Sequence, residues 1–272
     1  MWCAMNTNIV VRRSNGIVYV TLNRPARKNA ILPEMWSELT GICVDVEASV
    51  SDRVLVLTGE GESFSTGADI AARHDPVADS AAVMSSEALL ADINQCVLTL
   101  VNMSTPSVAA VDGIAAGAGC NLALACDLVV ASDRAQFSEI FVRRGLTVDT
   151  GGSWILPRLI GSSMARRLVL LGEIVDAEFA YKVGLVTHLV PAGDFRDEVA
   201  ALATRLSETS AVTLAADKRL LAESQELTLA EALDREMASQ LDMLRRPHVE
   251  AARRAFSARR HPVTSTGEPE VL

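Results

Sequence analysis

Residues 105–133, TPSVAAVDGIAAGAGCNLALACDLVVASD, constrain the fold more than any other stretch. The run 108–111, between Pro106 and Asp112, is apolar, short and without alternation, which suits a strand buried on both faces. It opens into 113–119, where only Ile114 is larger than alanine. From Cys120 onward, Leu122, Leu124 and Ala125 predict a helix, and a second strand-like run, 128–131, follows at once. Strand, small-residue turn, helix and strand in that order belong to an α/β chain.

Small side chains at a strand-to-helix turn admit close approach to the backbone and leave N–H groups at a helix start able to meet a partly negative atom. The residues alone leave three uses open. One is a dinucleotide site, loosely echoed by Gly117-x-Gly119, although Leu122 stands where a small residue is wanted and the first glycine comes late after the strand. Another is an oxyanion hole, in which main-chain N–H groups hold a carbonyl oxygen as it gains charge. The third is tight packing of helix on strand.

Bulk properties narrow the field. A chain of 272 residues can bury a large core, and its net charge of −9 argues against a nucleic-acid partner. No apolar run reaches membrane-spanning length, and the first residues lack a basic start followed by an apolar segment, so a cytoplasmic protein is expected. The five cysteines are scattered without a C-x-x-C pair, and the four histidines are far apart, so reduced thiols and no metal site are expected.

Along the chain, Ser14-Asn15-Gly16 between apolar runs predicts a hairpin. Pro33-Glu34 starts a helix with Met35, Leu39, Ile42 and Val46 as its stripe. Residues 54–57 read as a buried strand. A second small-residue turn, Ser63-Phe64-Ser65-Thr66-Gly67-Ala68-Asp69-Ile70, follows, with Asp69 as a cap or anchor and the Ala68 N–H as its notable group. The polar stretch 71–79 reads as a mobile loop. Helical periodicity returns over 85–103. Asp149, before Gly151-Gly152-Ser153-Trp154, reads as a helix cap when taken alone, and Trp154 as core. Most of the rest is helical, with a disordered tail over 262–272 expected. No repeat is evident in the residues themselves.

Five segments together resemble the crotonase, or enoyl-CoA hydratase/isomerase, superfamily. They are Val20-Thr21-Leu22-Asn23-Arg24-Pro25 with Asn29-Ala30; Phe64 to Ile70; Thr105 to Ala123; Ala125-Cys126-Asp127 with Ala135-Gln136-Phe137; and Gly151 to Arg158. The resemblance spans about residues 8–260. It implies an α/β fold, a spiral of ββα units over 1–200, and a helical trimerisation region over 201–261 of a homotrimer or hexamer. It also implies an acyl-CoA thioester as partner, with no cofactor beyond the coenzyme A of the substrate itself. The thioester carbonyl would lie between the N–H groups of Ala68 and Ala118. Gly67, Asp69, Ile70 and Asn121 would lie beside the acyl group. Phe141, Leu146 and Trp154 would form an apolar wall, and Arg24 and Arg259 would stand near the CoA phosphates.

Departures from the family pattern bear on the reaction. Hydratases of the family use two glutamates, and Asn121 and Phe141 occupy those positions here. Glu139, two residues from the second position, is expected to point elsewhere. Asp149 falls where dienoyl-CoA isomerases and ring-forming isomerases of phenylacetate breakdown carry an acid. The resemblance therefore implies a double-bond shift in an unsaturated acyl-CoA with Asp149 as acid and base. Hydration or hydrolysis by water activated at Asp149 or Glu139, and acyl-CoA binding without turnover, remain as alternatives.

Overall fold

The computed structural model describes residues 8–69, 85–247, 249 and 254. The chain opens with β1 (Ile9–Ser14) and β2 (Ile17–Leu22), an antiparallel hairpin in which Ile9 faces Leu22 and Ser14 faces Ile17. Both turn residues, Asn15 and Gly16, have positive φ (52° and 77°), as the twist of a two-residue hairpin demands. Helix α1 (Pro33–Ala48) starts on a proline whose missing N–H would have had no partner there, and it buries Met35, Trp36, Leu39, Cys43 and Val46.

The chain then repeats one unit three times. A strand enters the large sheet, a three-residue strand enters a small sheet, and a helix follows. The first unit is β3 (Val54–Gly59), β4 (Ser63–Ser65) and α2 (Ser86–Asn102). The second is β5 (Ser107–Val111), β6 (Ile114–Ala116) and α3 (Ala118–Leu124). The third is β7 (Leu128–Ser132), β8 (Gln136–Ser138), a 3-10 turn over Ile140–Arg144 and α4 (Gly152–Leu171). Then come β9 (Ile174–Asp176), α5 (Ala177–Val183), β10 (His188–Val190) and α6 (Phe195–Glu208). The large sheet runs β1-β2-β3-β5-β7-β10 and the small one β4-β6-β8-β9.

Burial on both faces explains the unalternating run in β5. Ala109 and Val111 join Leu55, Leu57 and Val129 in the core beneath the helices. Val108 and Ala110 point the other way, into a second cluster with Val54, Val56 and Val130 that Phe195, Val199, Leu202 and Ala203 of α6 complete. Each valine so buried contributes roughly 1.5–3 kcal/mol. Asp127, just past α3, accepts the Ser107 N–H (2.7 Å) and hydroxyl (2.9 Å) and ties the end of the second unit to the start of its first strand.

The chain divides into two compact units after Thr209. The division falls later than the expected residue 200, because α6 continues to Glu208 and its apolar face belongs to the large sheet. The second unit contains α7 (Ala211–Ser224) and α8 (Leu229–Met243), the latter begun by a reciprocal cap between Thr228 and Glu231. Among the described residues no helix is long and apolar enough to cross a membrane. The expected loop over 71–79 and tail over 262–272 lie outside the described residues.

Two local expectations change. β4 and β6 are strands inside what the sequence presents as small-residue turns, and α3 begins at Ala118 rather than Cys120. Ser and Ala have little intrinsic preference for strands; pairing with β6 and β8 imposes the extended form.

Candidate active site

The two small-residue turns meet. Ile31 donates to the Gly67 carbonyl (2.8 Å) and accepts from the Asp69 N–H (2.9 Å), which leaves the Ala68 N–H on the side away from Ile31. Gly67 has φ +84°, and a Cβ there would lie 3.0 Å from the Ala118 nitrogen, so only glycine lets this turn lie against the start of α3. Ala118 is the first residue of α3 after Gly117, where N–H groups have no intrahelical acceptor. Ala68 and Ala118 line one cavity of about 250 Å³.

A polar scaffold outside the cavity fixes this edge. The Ser65 hydroxyl donates to the Asn29 carbonyl (2.8 Å) and accepts the Gly67 N–H (3.1 Å). Asn29, fully buried, accepts the Arg24 N–H (2.9 Å) and donates to the carbonyls of Glu60 (2.9 Å) and Ser63 (2.6 Å). Asp69 is buried and ion-paired to Arg24 (2.9 Å) and Arg27 (3.5 Å), and Arg24 also donates to the Ala30 carbonyl. Asp69 and Arg24, expected near the ligand, therefore hold each other and do not line the cavity: a buried carboxylate needs cations close by.

A second part of the cavity lining carries the chemistry-bearing side chain. Asp149 lines the cavity, as do Gly67, Phe141 and Leu146. The carboxyl does not cap α4, whose N-cap is Gly151. Instead Asp149 Oδ1 accepts the Thr150 hydroxyl (2.6 Å), and its main-chain carbonyl accepts the Gly152 N–H (3.0 Å) and Asn121 Nδ2 (2.9 Å). Asn121, expected beside the acyl group, is fully buried behind the lining. Trp154 is neither core nor wall. It is 47% exposed, with the Arg158 guanidinium 4.0 Å from its ring centre, because the first turn of α4 presents it to the outside. Ile70 and Arg259 lie outside the described residues.

Sequence reasoning missed several contributors. Ser86, Leu90 and Ile93 bring α2 to the cavity, and Arg144 lies at its edge. Leu90 and Ile93 have the spacing of an ordinary core stripe and carry no signal of their own. The larger miss is Glu139. It is 2% exposed, and its Oε2 accepts from Asn121 Nδ2 (3.3 Å). The 3-10 turn that begins after Glu139 turns Phe141 to the cavity and leaves Glu139 against α3, so a two-residue offset from Phe141 brings it inward. Burial pushes the Glu139 carboxyl up to about 7; hydrogen bonds from Cys120 and Asn121 oppose this and the nearby Asp149 adds to it.

A cavity lined by two residues with main-chain donors, a carboxylate and apolar side chains can stabilise an oxyanion and move a proton. The chain is also similar to known proteins. The sequence profile of the enoyl-CoA hydratase/isomerase family matches residues 12–266. A probable enoyl-CoA hydratase of Mycobacterium tuberculosis is 34% identical over 225 residues, 83% of this chain and 85% of its own length. The 1,2-epoxyphenylacetyl-CoA isomerase of Escherichia coli is 35% identical over 249 residues, 91% of this chain and 94% of its own. The crystal structure of a putative enoyl-CoA hydratase from Streptomyces coelicolor superposes with a TM-score of 0.85 at 30% identity, over 96% of this chain and 95% of that one. The chain belongs to the enoyl-CoA hydratase/isomerase family and has the crotonase fold.

Proposed function

We propose that the protein shifts a double bond in an unsaturated acyl-CoA, most simply from the 3 to the 2 position. The observation that carries this reading is the placement of Asp149. Among the described lining residues it is the only carboxylate, and it shares the cavity with Ala68 and Ala118. The Asp149 carboxylate removes a proton from C2, and the electrons pass into the thioester as a dienolate. The N–H groups of Ala68 and Ala118 hold the charge on oxygen. The same carboxyl, now protonated, returns the proton at C4, and the double bond settles between C2 and C3. One acid suffices because the dienolate carries charge on both carbons. Phe141 and Leu146 give the cavity apolar lining beside the carboxylate. No cofactor is needed beyond the coenzyme A of the substrate. A trimeric or hexameric assembly goes with this reading, supported by Leu233, Met237 and Leu241, which are exposed on α8.

Asp149→Asn is expected to lower turnover of a 3-enoyl-CoA by roughly 10²–10⁴ while acyl-CoA still binds. Unchanged isomerisation in that variant would end the proposal. A second reading, hydration, has two supports: many relatives are named hydratases, and a second carboxyl, Glu139, is electrostatically coupled to Asp149. Incubating 3-enoyl- and 2-enoyl-CoAs in heavy-oxygen water separates the two, since isomerisation takes up no oxygen and hydration takes up one atom per turnover.

A further inference from the structure

One buried titratable group has no part in the reaction as written. Glu139 lies behind the cavity wall, and a single amide nitrogen, Asn121 Nδ2, donates both to its Oε2 (3.3 Å) and to the Asp149 carbonyl (2.9 Å). That nitrogen joins three elements: the turn after β8, helix α3 and the segment leading into α4. The fit is tight, since a Cβ at Gly152 would lie 2.4 Å from it. Glu139 Oε1 and Asn121 Oδ1 are both buried and have no hydrogen-bond partner among the described residues. The groups acting on the carboxyl are the Cys120 thiol and Asn121 amide from α3 and Asp149 from the loop before α4. None of them is a cation, so an ionised Glu139 would be a desolvated charge beside a like charge.

We propose that Glu139 is a positioning residue that holds Asn121, and through it the main chain of Asp149, and whose charge state sets how strongly Asp149 holds a proton. The inference rests on Asp149 being the acid and base of the reaction. With Glu139 neutral, Asp149 is a weaker base. With Glu139 ionised, the like charge makes Asp149 more basic, and proton abstraction moves negative charge away from the pair and onto the thioester oxygen.

The test compares wild type with Glu139→Gln and Glu139→Leu, using whichever enoyl-CoA conversion the wild-type enzyme carries out. Wild-type kcat is expected to climb about three- to tenfold as pH rises through the Glu139 ionisation near 7. Gln accepts the Asn121 hydrogen bond but cannot ionise, so its kcat should match wild type at pH 6 and stay flat above, with KM within about twofold. Leu cannot hold Asn121 and should lose roughly 10–100-fold in kcat at every pH, a loss that Gln rescues at pH 6. Infrared difference spectra should show a protonated carboxyl that titrates near pH 7 and is missing in Glu139→Gln. An unchanged pH inflection in Glu139→Gln, or wild-type kcat in Glu139→Leu, overturns the role of Glu139. Full activity in Asp149→Asn instead overturns the reaction on which it rests. If Glu139→Leu fails to fold, the Gln profile and the infrared titration decide alone.

Discussion

The two walls of the cavity solve opposite problems. One offers main-chain N–H groups at Ala68 and Ala118, where the side chain matters only by being small. The other offers the Asp149 carboxyl, whose main-chain carbonyl is held by the Asn121 amide in a network where Glu139 Oε1 and Asn121 Oδ1 have no hydrogen-bond partner among the described residues. Donors supplied by the backbone are rigid because strand pairing and a helix start place them, and they cost no side-chain entropy. A carboxyl supplied by a side chain must be aimed, and its supports can titrate. The first wall should therefore be insensitive to pH and sensitive to backbone changes, and the second the reverse.

After the loss of roughly 10²–10⁴ expected of Asp149→Asn, the largest effect tests the first wall. Ala118 is the first residue of α3, a position where proline is tolerated because its missing N–H had no helical partner. Ala118→Pro should leave the fold in place and lower kcat by roughly 10²–10³, the usual loss for one oxyanion donor, with the pH profile unchanged in shape. Circular dichroism checks the fold and steady-state kinetics the rate. Wild-type turnover in a folded variant would remove Ala118 from the oxyanion hole.

Next is the stability of the second wall. The Glu139 carboxyl is raised from 4.5 to about 7 in the folded protein. The folded state thus binds a proton more tightly than the unfolded chain does. Stability from the neutral form is fully present below about pH 4.5 and is lost as pH rises through about 7. Glu139→Gln escapes that loss, so relative to wild type it should gain about 3 kcal/mol between pH 4 and pH 8. Denaturant unfolding at both pH values measures the difference, and an equal gap between the two proteins at each pH would contradict the assignment.

A third change separates packing from charge. Gly152→Ala places a methyl against the Asn121 amide and should cost about 1–3 kcal/mol, with kcat falling more than KM changes. Retained stability and rate would show that Asn121 can move aside without consequence.

How much of this the sequence disclosed follows the same division. The hairpin at Asn15-Gly16 and the buried run in β5 are local patterns, readable from turn chemistry and apolar continuity. The juxtaposition of Ala68 and Ala118 is legible only through the family resemblance, because small residues at strand-following turns suit tight packing of helix on strand as well as an oxyanion hole. The threefold recurrence of long strand, short strand and helix comes only with the family resemblance and is hidden in the residues themselves, since β4, β6 and β8 are three residues each and owe their form to one another. Glu139 is hidden because its direction depends on a 3-10 turn, and that turn has no clear mark in Glu139-Ile140-Phe141. Trp154 misleads in the other direction: it reads as core from the residues and as wall from the resemblance, but it sits on the outer side of the first turn of α4.

That last point gives the smallest effect and a control on the whole comparison. Trp154 touches Arg158 across an exposed surface and takes no part in the cavity lining. Trp154→Ala should therefore cost only the exposed cation–π contact, about 0.5–1 kcal/mol, with kcat and KM within about twofold of wild type. Leu146→Ala, at a residue that does line the cavity, should instead raise KM for the acyl-CoA with little change in stability, because Leu146 is 55% exposed in the free chain. If Trp154→Ala weakens acyl-CoA binding more than Leu146→Ala does, then the acyl group reaches beyond the cavity bounded by Phe141 and Leu146, and the second wall must be redrawn to include the start of α4.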